Sequence, residues 1–228
     1  GMIWISQKSA PLLLNPSVSV HKYALLMEFL GNIKHYEANT HETVRLALLA
    51  RQRLFEIADK ESIDFNLEKR GILHFYHNKQ DYDVAIRVND LLNKGGLERC
   101  GVSNEEIKQI EPTLTGDYYA GFYCEGDATG DIHKYTTGLA EVTKKLGVKY
   151  RFGMDVTDIQ HLTSGVEVKL QPSSENVELA PAEVEMLAAD AVVVCAGVGS
   201  YQLAELVQER VNVYPVKGYS ITVMLNDE

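Results

Sequence analysis

The stretch DAVVVCAGVGSYQL, residues 190–203, constrains the fold of this chain more than any other segment. Small and apolar residues lead into Ala196, Gly197, Val198 and Gly199, and a helical pattern follows. A parallel strand that ends in glycines lets its backbone approach a ligand closely, because glycine has no Cβ. The segment therefore predicts a strand, turn and helix that lie against a nucleotide, although a tight turn without any ligand also uses glycine.

The fingerprint that holds the pyrophosphate of a dinucleotide is absent from the sequence. The pattern G-x-G-x-x-G needs a third glycine, and Gln202 stands at that position after Gly197 and Gly199. No P-loop pattern G-x-x-x-x-G-K-[ST] occurs either. The chain thus has an element that would cover a nucleotide but lacks the element that would hold its phosphates.

Composition argues against several other classes of protein. The chain has 228 residues, of which 45% are hydrophobic, enough for one large core or two small ones. A formal charge of −10 without a Lys/Arg run argues against nucleic-acid binding. The dispersed Cys100, Cys124 and Cys195 indicate neither disulfides nor zinc, and we expect them to be buried. No apolar run reaches the roughly 18 residues that a membrane span needs.

Periodicity and capping signals predict helices in the first half of the chain. Asn39 and Glu42 have the spacing of a capping box and predict a helix that starts there. Ser103 and Glu106 have the same spacing ahead of a short helix, and Asp131 is the expected N-cap of another. Further helices are predicted over residues 21–33 and 79–96, with a strand over residues 72–76.

The second half alternates strands with a helix, which predicts a parallel sheet there. The expected strands cover residues 148–153, 155–162 and 165–171, two runs within 184–197, and a pair within 211–225 around Lys217 and Gly218.

Four segments of the chain occur together in an informative order. They are IEPTL, the stretch from EGDATGDIHKY to MDVTDI, ADAVVVCAGVGSYQL and VYPVKGYSITV. In this order they resemble the middle of FAD-dependent D-amino acid dehydrogenases, within the D-amino acid oxidase-like flavoprotein family. The resemblance covers nearly the whole chain. The loop at residues 126–135 and the segment YPVKGYS read closer to the dehydrogenases than to glycine or sarcosine oxidases.

The resemblance implies an architecture of α+β and α/β type. It consists of a partial FAD-binding, Rossmann-like domain with an inserted substrate domain of mixed sheet and helices. Residues 2–129 would belong mainly to the substrate domain, residues 130–216 to the centre of the FAD-binding domain, and residues 217–228 to a strand that returns to the substrate domain. The family's N-terminal and C-terminal parts are missing, so we expect a fragment that is inactive alone.

The implied reaction is oxidative deamination of a D-amino acid by hydride transfer to FAD. The imino acid then hydrolyses to a 2-oxo acid and ammonia, and electrons pass to a quinone or another acceptor. Because the cofactor supplies the chemistry, no catalytic residue is assigned. The alternatives are a fragment of a glycine- or sarcosine-type amine oxidase, or a binding or interaction module without a cofactor. We expect a cytoplasmic location, either free or peripheral on the cytoplasmic face of the inner membrane.

Four residues are expected on the cofactor side by resemblance. Val156 occupies the place where the family's strand backbone pairs with the adenine edge, and its alternative role is that of a core valine. Ala196 and Gly197 would pass close to the nucleotide. Gly199 completes this set and would also serve the turn into the following helix.

Three residues are expected on the substrate side. Lys217, Gly218 and Tyr219 lie where the chain would cross from flavin to substrate. Gly218 permits close approach, Lys217 would face flavin or solvent, and Tyr219 has the alternative of packing in a strand. His74 and His77 lack a third ligand at a suitable spacing, so no metal is predicted.

A sheet that has lost its first strand would expose an unpaired edge and an apolar face. Such edges pair readily with other chains. We therefore expect self-association of this chain through an exposed sheet edge.

Overall fold

The computed structural model describes residues 19–174 and 183–221 of the chain. These residues form two compact units. One unit is the continuous stretch Asn32–Tyr150, and the other combines residues 19–31 with residues 151–221. We call them the continuous unit and the split unit.

Helices and short strands together give the mixed α+β architecture that the sequence predicts. The described α-helices are α1 (Val20–Asn32), α2 (Tyr36–Glu61), α3 (Lys79–Lys94), α4 (Asn104–Ile110), α5 (Ile132–Lys145) and α6 (Ser200–Leu206). The described strands are β1 (Ile72–Tyr76), β2 (Cys100–Val102), β3 (Ala120–Cys124), β4 (Met154–His161), β5 (Val166–Pro172) and β6 (Glu185–Ala189). Short 3-10 helices cover Ile33–His35 and Gly197–Gly199. In this part of the chain, no helix is both long and apolar enough to cross a lipid bilayer.

The chain passes between the units after Gly31 and after Tyr150. The resemblance places its segment boundaries after residues 129 and 216 instead. Helix α5 therefore packs within the continuous unit. The assignment of segments to a substrate domain or an FAD-binding domain stays a prediction.

The continuous unit is built on an antiparallel sheet of order β1-β3-β2 with helices on both faces. Helix α3 covers the face that carries Phe122, where the Tyr82 ring stacks on Phe122 with centroids 5.1 Å apart. Helix α4 covers the opposite face, and its Ile107 side chain is fully buried. A Cβ at Gly121 would lie 3.2 Å from Ile107 Cδ1 and 2.7 Å from the His74 carbonyl oxygen, which is why glycine occupies that position.

Two helix starts in the continuous unit confirm the predicted caps. The Ser103 hydroxyl accepts from Glu106 N over 3.2 Å, while the Glu106 carboxylate accepts from Ser103 N over 2.7 Å. The Asp131 carboxylate accepts from Lys134 N over 3.1 Å. Each bond satisfies a backbone N–H that the helix itself leaves without a partner.

The capping box predicted at Asn39 is wrong. Helix α2 begins at Tyr36, so Asn39 lies inside it and its carbonyl oxygen accepts from Thr43 Oγ1. Glu42 pairs with Arg45 on the exposed surface of the helix at 2.8 Å. The box spacing occurs by chance within a helix whose first turn lies further towards the N-terminus, because capping residues are also tolerated on a solvated helix face.

The split unit contains a second antiparallel sheet, of order β4-β5-β6. Alternate side chains of β5, from Val166, Val168 and Leu170, are buried, as a half-buried strand requires. Helix α6 packs against β4 and buries Ala204. The predicted parallel sheet is wrong for the described residues, because every strand pair among them is antiparallel.

Three predicted strands are also wrong. Residues 148–153, 191–195 and 211–221 are extended or irregular and pair with no strand of the described chain. Val193, in the second of these runs, is 83% exposed. A β-branched run favours extended backbone, but a strand forms only where a neighbour supplies hydrogen bonds. The second arm of the predicted hairpin, residues 222–225, lies outside the described residues.

Candidate functional site

The glycine turn, residues 196–199, has the backbone geometry that its sequence predicts. Gly197 has φ of +56°, in the left-handed region that favours glycine. Gly199 N donates to the Ala196 carbonyl oxygen over 3.0 Å and closes the 3-10 helix that leads into α6. A Cβ at Gly197 would meet no atom within 4 Å, so the described chain leaves the space in front of it open. This open backbone suits the close approach of a nucleotide.

Val156 lies on β4, in the same unit as the glycine turn. Its side chain is half-buried, and its backbone pairs with Leu170 just before a register shift in the ladder. Because β4 is an edge strand of the three-stranded sheet, part of its backbone N–H and C=O groups face away from β5. Helix α6 packs against β4 and adjoins the glycine turn, and pairing of the Val156 backbone with an adenine edge stays a prediction.

Residues 217–219 lie in the irregular segment before the end of the described chain. Lys217 Nζ is 5.3 Å from the centroid of the Tyr219 ring, which is 88% exposed. A Cβ at Gly218 would also meet no described atom within 4 Å. The structure thus brings Lys217 and Tyr219 together.

A histidine on helix α1 contacts both helix α6 and the irregular segment at residues 211–221. The His21 ring lies 4.1 Å from the Tyr201 ring, and its Nε2 is 2.8 Å from the Val213 carbonyl oxygen. Because a carbonyl only accepts, Nε2 carries the hydrogen. A hydrogen bond to Glu205 and partial burial raise the pKa of the Tyr201 hydroxyl.

The continuous unit holds a cavity of about 360 Å³ beside the loop that connects β3 with α5. We call it the Arg51 cavity. Arg51 Nη1 donates to Asp127 Oδ1 over 2.5 Å, and the two side chains are 31% and 29% exposed. Burial, followed by a hydrogen bond to Asp127, raises the pKa of the adjacent Cys124 thiol. The ion pair is therefore partly shielded from water and still open to a ligand.

Backbone hydrogen bonds fix the loop that carries Asp127. Glu68 and Thr129 exchange two bonds of 2.9 and 3.0 Å, and Gly71 N donates to the Asp127 carbonyl oxygen over 3.1 Å. A Cβ at Gly130 would lie 2.7 Å from the Phe65 ring, so only glycine fits there. The backbone at Asp127 is thus fixed by the loop, and its carboxylate is held by Arg51.

Sequence reasoning identified this loop as informative but missed its ion pair. Arg51 and Asp127 are 76 positions apart in the sequence, and no local pattern joins them. Cys124 is buried as expected, whereas Cys100 and Cys195 are exposed, which contradicts the expectation for them. Within the described ranges, no group of three or more His, Cys, Asp or Glu residues is arranged to hold a metal ion, and the absence of a metal stays a prediction.

Comparison with known proteins identifies the family of this chain. The model of the DAO family, FAD dependent oxidoreductase, matches residues 17–228. D-amino acid dehydrogenase 3 of Mesorhizobium japonicum is 46% identical over 226 residues, which are 99% of this chain and 53% of that protein. D-amino acid dehydrogenase of Dechloromonas aromatica is 33% identical over 227 residues, covering 97% of this chain and 53% of that protein. The chain spans about half the length of these curated relatives.

Solved structures share the fold at lower identity. Glycine oxidase from Geobacillus kaustophilus gives a TM-score of 0.60 at 21% identity, over 72% of this chain and 42% of its own. L-amino acid deaminase from Proteus myxofaciens gives 0.57 at 14% identity, over 87% of this chain and 38% of its own. At identities below 25%, these neighbours show a shared fold and no more. The chain belongs to the DAO family of FAD-dependent oxidoreductases, which confirms the resemblance read from its motifs.

Proposed function

We propose that this chain is part of an FAD-dependent dehydrogenase of D-amino acids. The observation that carries the proposal is the 46% identity to D-amino acid dehydrogenase 3, sustained over 99% of the chain. An amine oxidase of the glycine or sarcosine type is the second candidate. It rests on glycine oxidase as a structural neighbour, but 21% identity supports a shared fold and no more.

On the cofactor side, the open backbone of the glycine turn supports contact between Ala196, Gly197 and the nucleotide. Gly199 keeps the turn tight enough for that approach, and the position of Val156 on β4, an edge strand of the described sheet, supports pairing with the adenine. When bound next to these residues, FAD would supply the hydride acceptor for oxidation at the substrate α-carbon. The resulting imino acid takes up water and yields a 2-oxo acid and ammonia.

On the substrate side, residues 217–219 would lie between flavin and amino acid. Gly218 leaves room for close approach, and Lys217 and Tyr219 offer a charge and a hydroxyl to the substrate. We assign residues 2–129 mainly to the substrate domain and residues 130–216 to the FAD-binding domain. The electron acceptor is a quinone or another carrier, and the enzyme works in the cytoplasm or on the cytoplasmic face of the inner membrane.

The proposal is tested by an FAD titration of two proteins, this chain and a longer protein that carries it, followed by flavin fluorescence and absorbance. Gly197→Ala places a methyl group in the open space and should weaken FAD binding about tenfold or more. Gly147→Ala is the matched control, because Gly147 also has positive φ and open space around its Cβ but lies in the continuous unit.

The same preparation separates the candidate functions. A dehydrogenase reduces a quinone analogue with D-amino acids and consumes little oxygen, whereas an amine oxidase consumes oxygen with glycine or sarcosine. Failure of both proteins to bind FAD contradicts both candidates and leaves a binding module without a cofactor. FAD binding that Gly197→Ala leaves unchanged would contradict the role given to the glycine turn.

A further inference from the structure

One side of helix α2 is exposed along most of its length. The helix has 26 residues, and its inward side buries Val44 and Ala58. Arg51, halfway between these two, lines the Arg51 cavity. The outward side carries exposed residues three or four positions apart, which are Ala38, Glu42, Leu46, Leu49, Arg53 and Ile57. At 3.6 residues per turn they form a stripe about 100° wide. We call this set the α2 stripe.

The α2 stripe is apolar at its centre. Leu46 is 64% exposed, Leu49 is 47% exposed and Ile57 is 37% exposed. Large apolar side chains that recur at helical spacing are typical of a face that packs against another element. Contiguous apolar surface of this kind, bordered by charged residues, is characteristic of interaction sites.

The order of residues in the α2 stripe indicates what covers it. The two halves of the stripe mirror each other across a midpoint between residues 47 and 48, and their charges are opposite. When a second copy of the helix lies antiparallel across this midpoint, each residue of one half meets its counterpart in the other half. This alignment pairs Leu46 with Leu49, Glu42 with Arg53 and Ala38 with Ile57. Two-fold symmetry repeats every contact. A parallel alignment would place Glu42 on Glu42, so charge favours the antiparallel one.

We propose that the α2 stripe binds the α2 stripe of a second copy of this chain, with the two helices antiparallel. The leucines pack together at the centre, and a pair between Glu42 and Arg53 flanks them on each side. A single helix face buries less area than an obligate interface, so the dimer is weak and depends on concentration. This surface is separate from the sheet edge for which self-association is predicted. It also goes beyond the proposed function, because it needs neither flavin nor substrate.

The two charges of the α2 stripe are available to a second copy. Glu42 pairs with Arg45 at 2.8 Å, and Arg53 pairs with Glu56 at 2.6 Å, both within the same helix. The Glu42 and Arg53 side chains are 69% and 66% exposed. Exposed pairs of this kind contribute little to stability, so both side chains can turn towards a second copy at small cost. Between packed helices the charges are partly shielded from water and attract each other more strongly.

The test mixes two charge-reversed variants of the 228-residue chain. All proteins carry Val193→Lys, which weakens association through the separate run at residues 191–195, and the chain with this change alone is the reference. Glu42→Arg and Arg53→Glu each place like charges opposite each other at both symmetric positions. Each should weaken self-association about tenfold or more. In a mixed dimer every altered position faces an opposite charge, so an equal mixture should dimerise about as tightly as the reference.

Sedimentation velocity between about 1 µM and 1 mM measures the dimer affinity, and native mass spectrometry counts the mixed dimers. Glu125→Arg is the matched control for Glu42→Arg, because Glu125 is exposed outside the α2 stripe, and it should self-associate like the reference. Leu46→Glu places two like charges at the apolar centre and should weaken the dimer about tenfold or more. Val84→Glu, at a position of α3 that is 52% exposed, is its control and should change nothing. Circular dichroism verifies that each variant is folded.

Three results would overturn the inference: a reference chain that stays monomeric up to about 1 mM, no gain in dimer when the two charge-reversed variants are mixed, or equal loss from Leu46→Glu and Val84→Glu. A monomeric chain would mean that a different partner covers the α2 stripe. The outcome is independent of the FAD titration. A dimer without FAD binding refutes only the flavoprotein proposal, and FAD binding by a monomeric chain refutes only this inference.

Discussion

The loop beside the Arg51 cavity and the run around the glycine turn are both glycine-containing segments. They differ in the contacts that hold their backbones in place. In the loop, Glu68 and Thr129 pair their backbones and Arg51 holds Asp127. In the run at 191–199, the valines extend without a partner strand in the described chain, and Val193 is 83% exposed. Local sequence determines the backbone conformation of both regions. Within the described residues, the loop has hydrogen-bond and ion-pair partners, whereas the run has no partner strand.

The largest expected effect compares the packed core of the continuous unit, which holds the loop, with the exposed run of the split unit. Ile107→Ala empties a fully buried position and should lower the free energy of unfolding by about 2–5 kcal/mol. Val193→Ala, at a mostly exposed position, should change it by less than about 0.5 kcal/mol. Urea denaturation of both variants measures the difference. A large loss from Val193→Ala would show that the run is packed in solution.

Adding a methyl group to one glycine of each region should give a smaller difference in the free energy of unfolding. Gly130→Ala drives a Cβ into the Phe65 ring and should cost about 1–3 kcal/mol. Gly197→Ala meets no atom and should cost about 1–2 kcal/mol, the strain of its positive φ alone. Thermal melts of the two variants test this order. A reversed order would mean that the loop relaxes around the new methyl group.

Self-association should depend on the unpaired run and not on the loop. Val193→Lys places a charge on the extended edge and should shift the chain towards monomer in sedimentation velocity experiments. Glu125→Lys, an exposed change beside the loop, is the control and should leave the distribution unchanged. If the unaltered chain is already monomeric at high concentration, the edge is not an association surface.

The smallest expected effect is a difference in reactivity between two cysteine thiols, measured with the fold intact. Cys195 is exposed within the run, whereas Cys124 is buried at the end of β3 with a raised pKa. A raised pKa means less thiolate at any given pH, so Cys124 should react with iodoacetamide about tenfold more slowly or worse. Because its pKa is raised, the rate at Cys124 should also rise only above the pH at which an ordinary cysteine thiol ionises. Equal rates, read by mass spectrometry, would show that the loop region opens frequently.

The sequence predicted local features well and partners poorly. The caps at Ser103 and Asp131 were predictable because every atom involved lies within three residues along the chain. The left-handed backbone of Gly197 was predictable from residue type. The Arg51–Asp127 pair was not, since it spans 76 positions. The strand at 191–195 failed for the same reason, because hydrophobic pattern indicates extended backbone but does not supply its neighbour.

The bond between His21 and the Val213 carbonyl spans 192 positions and has a consequence for synthesis. Helix α1 is synthesised before the rest of the described chain. It cannot contact Tyr201 and Val213 until those residues have been synthesised, so the split unit can form only after that. Residues 32–150 emerge meanwhile and can fold as soon as they clear the exit tunnel. Long-range closure of this kind carries a large entropic cost and is slow. We therefore expect the middle of the chain, residues 32–150, to fold first and helix α1 to dock among the last elements.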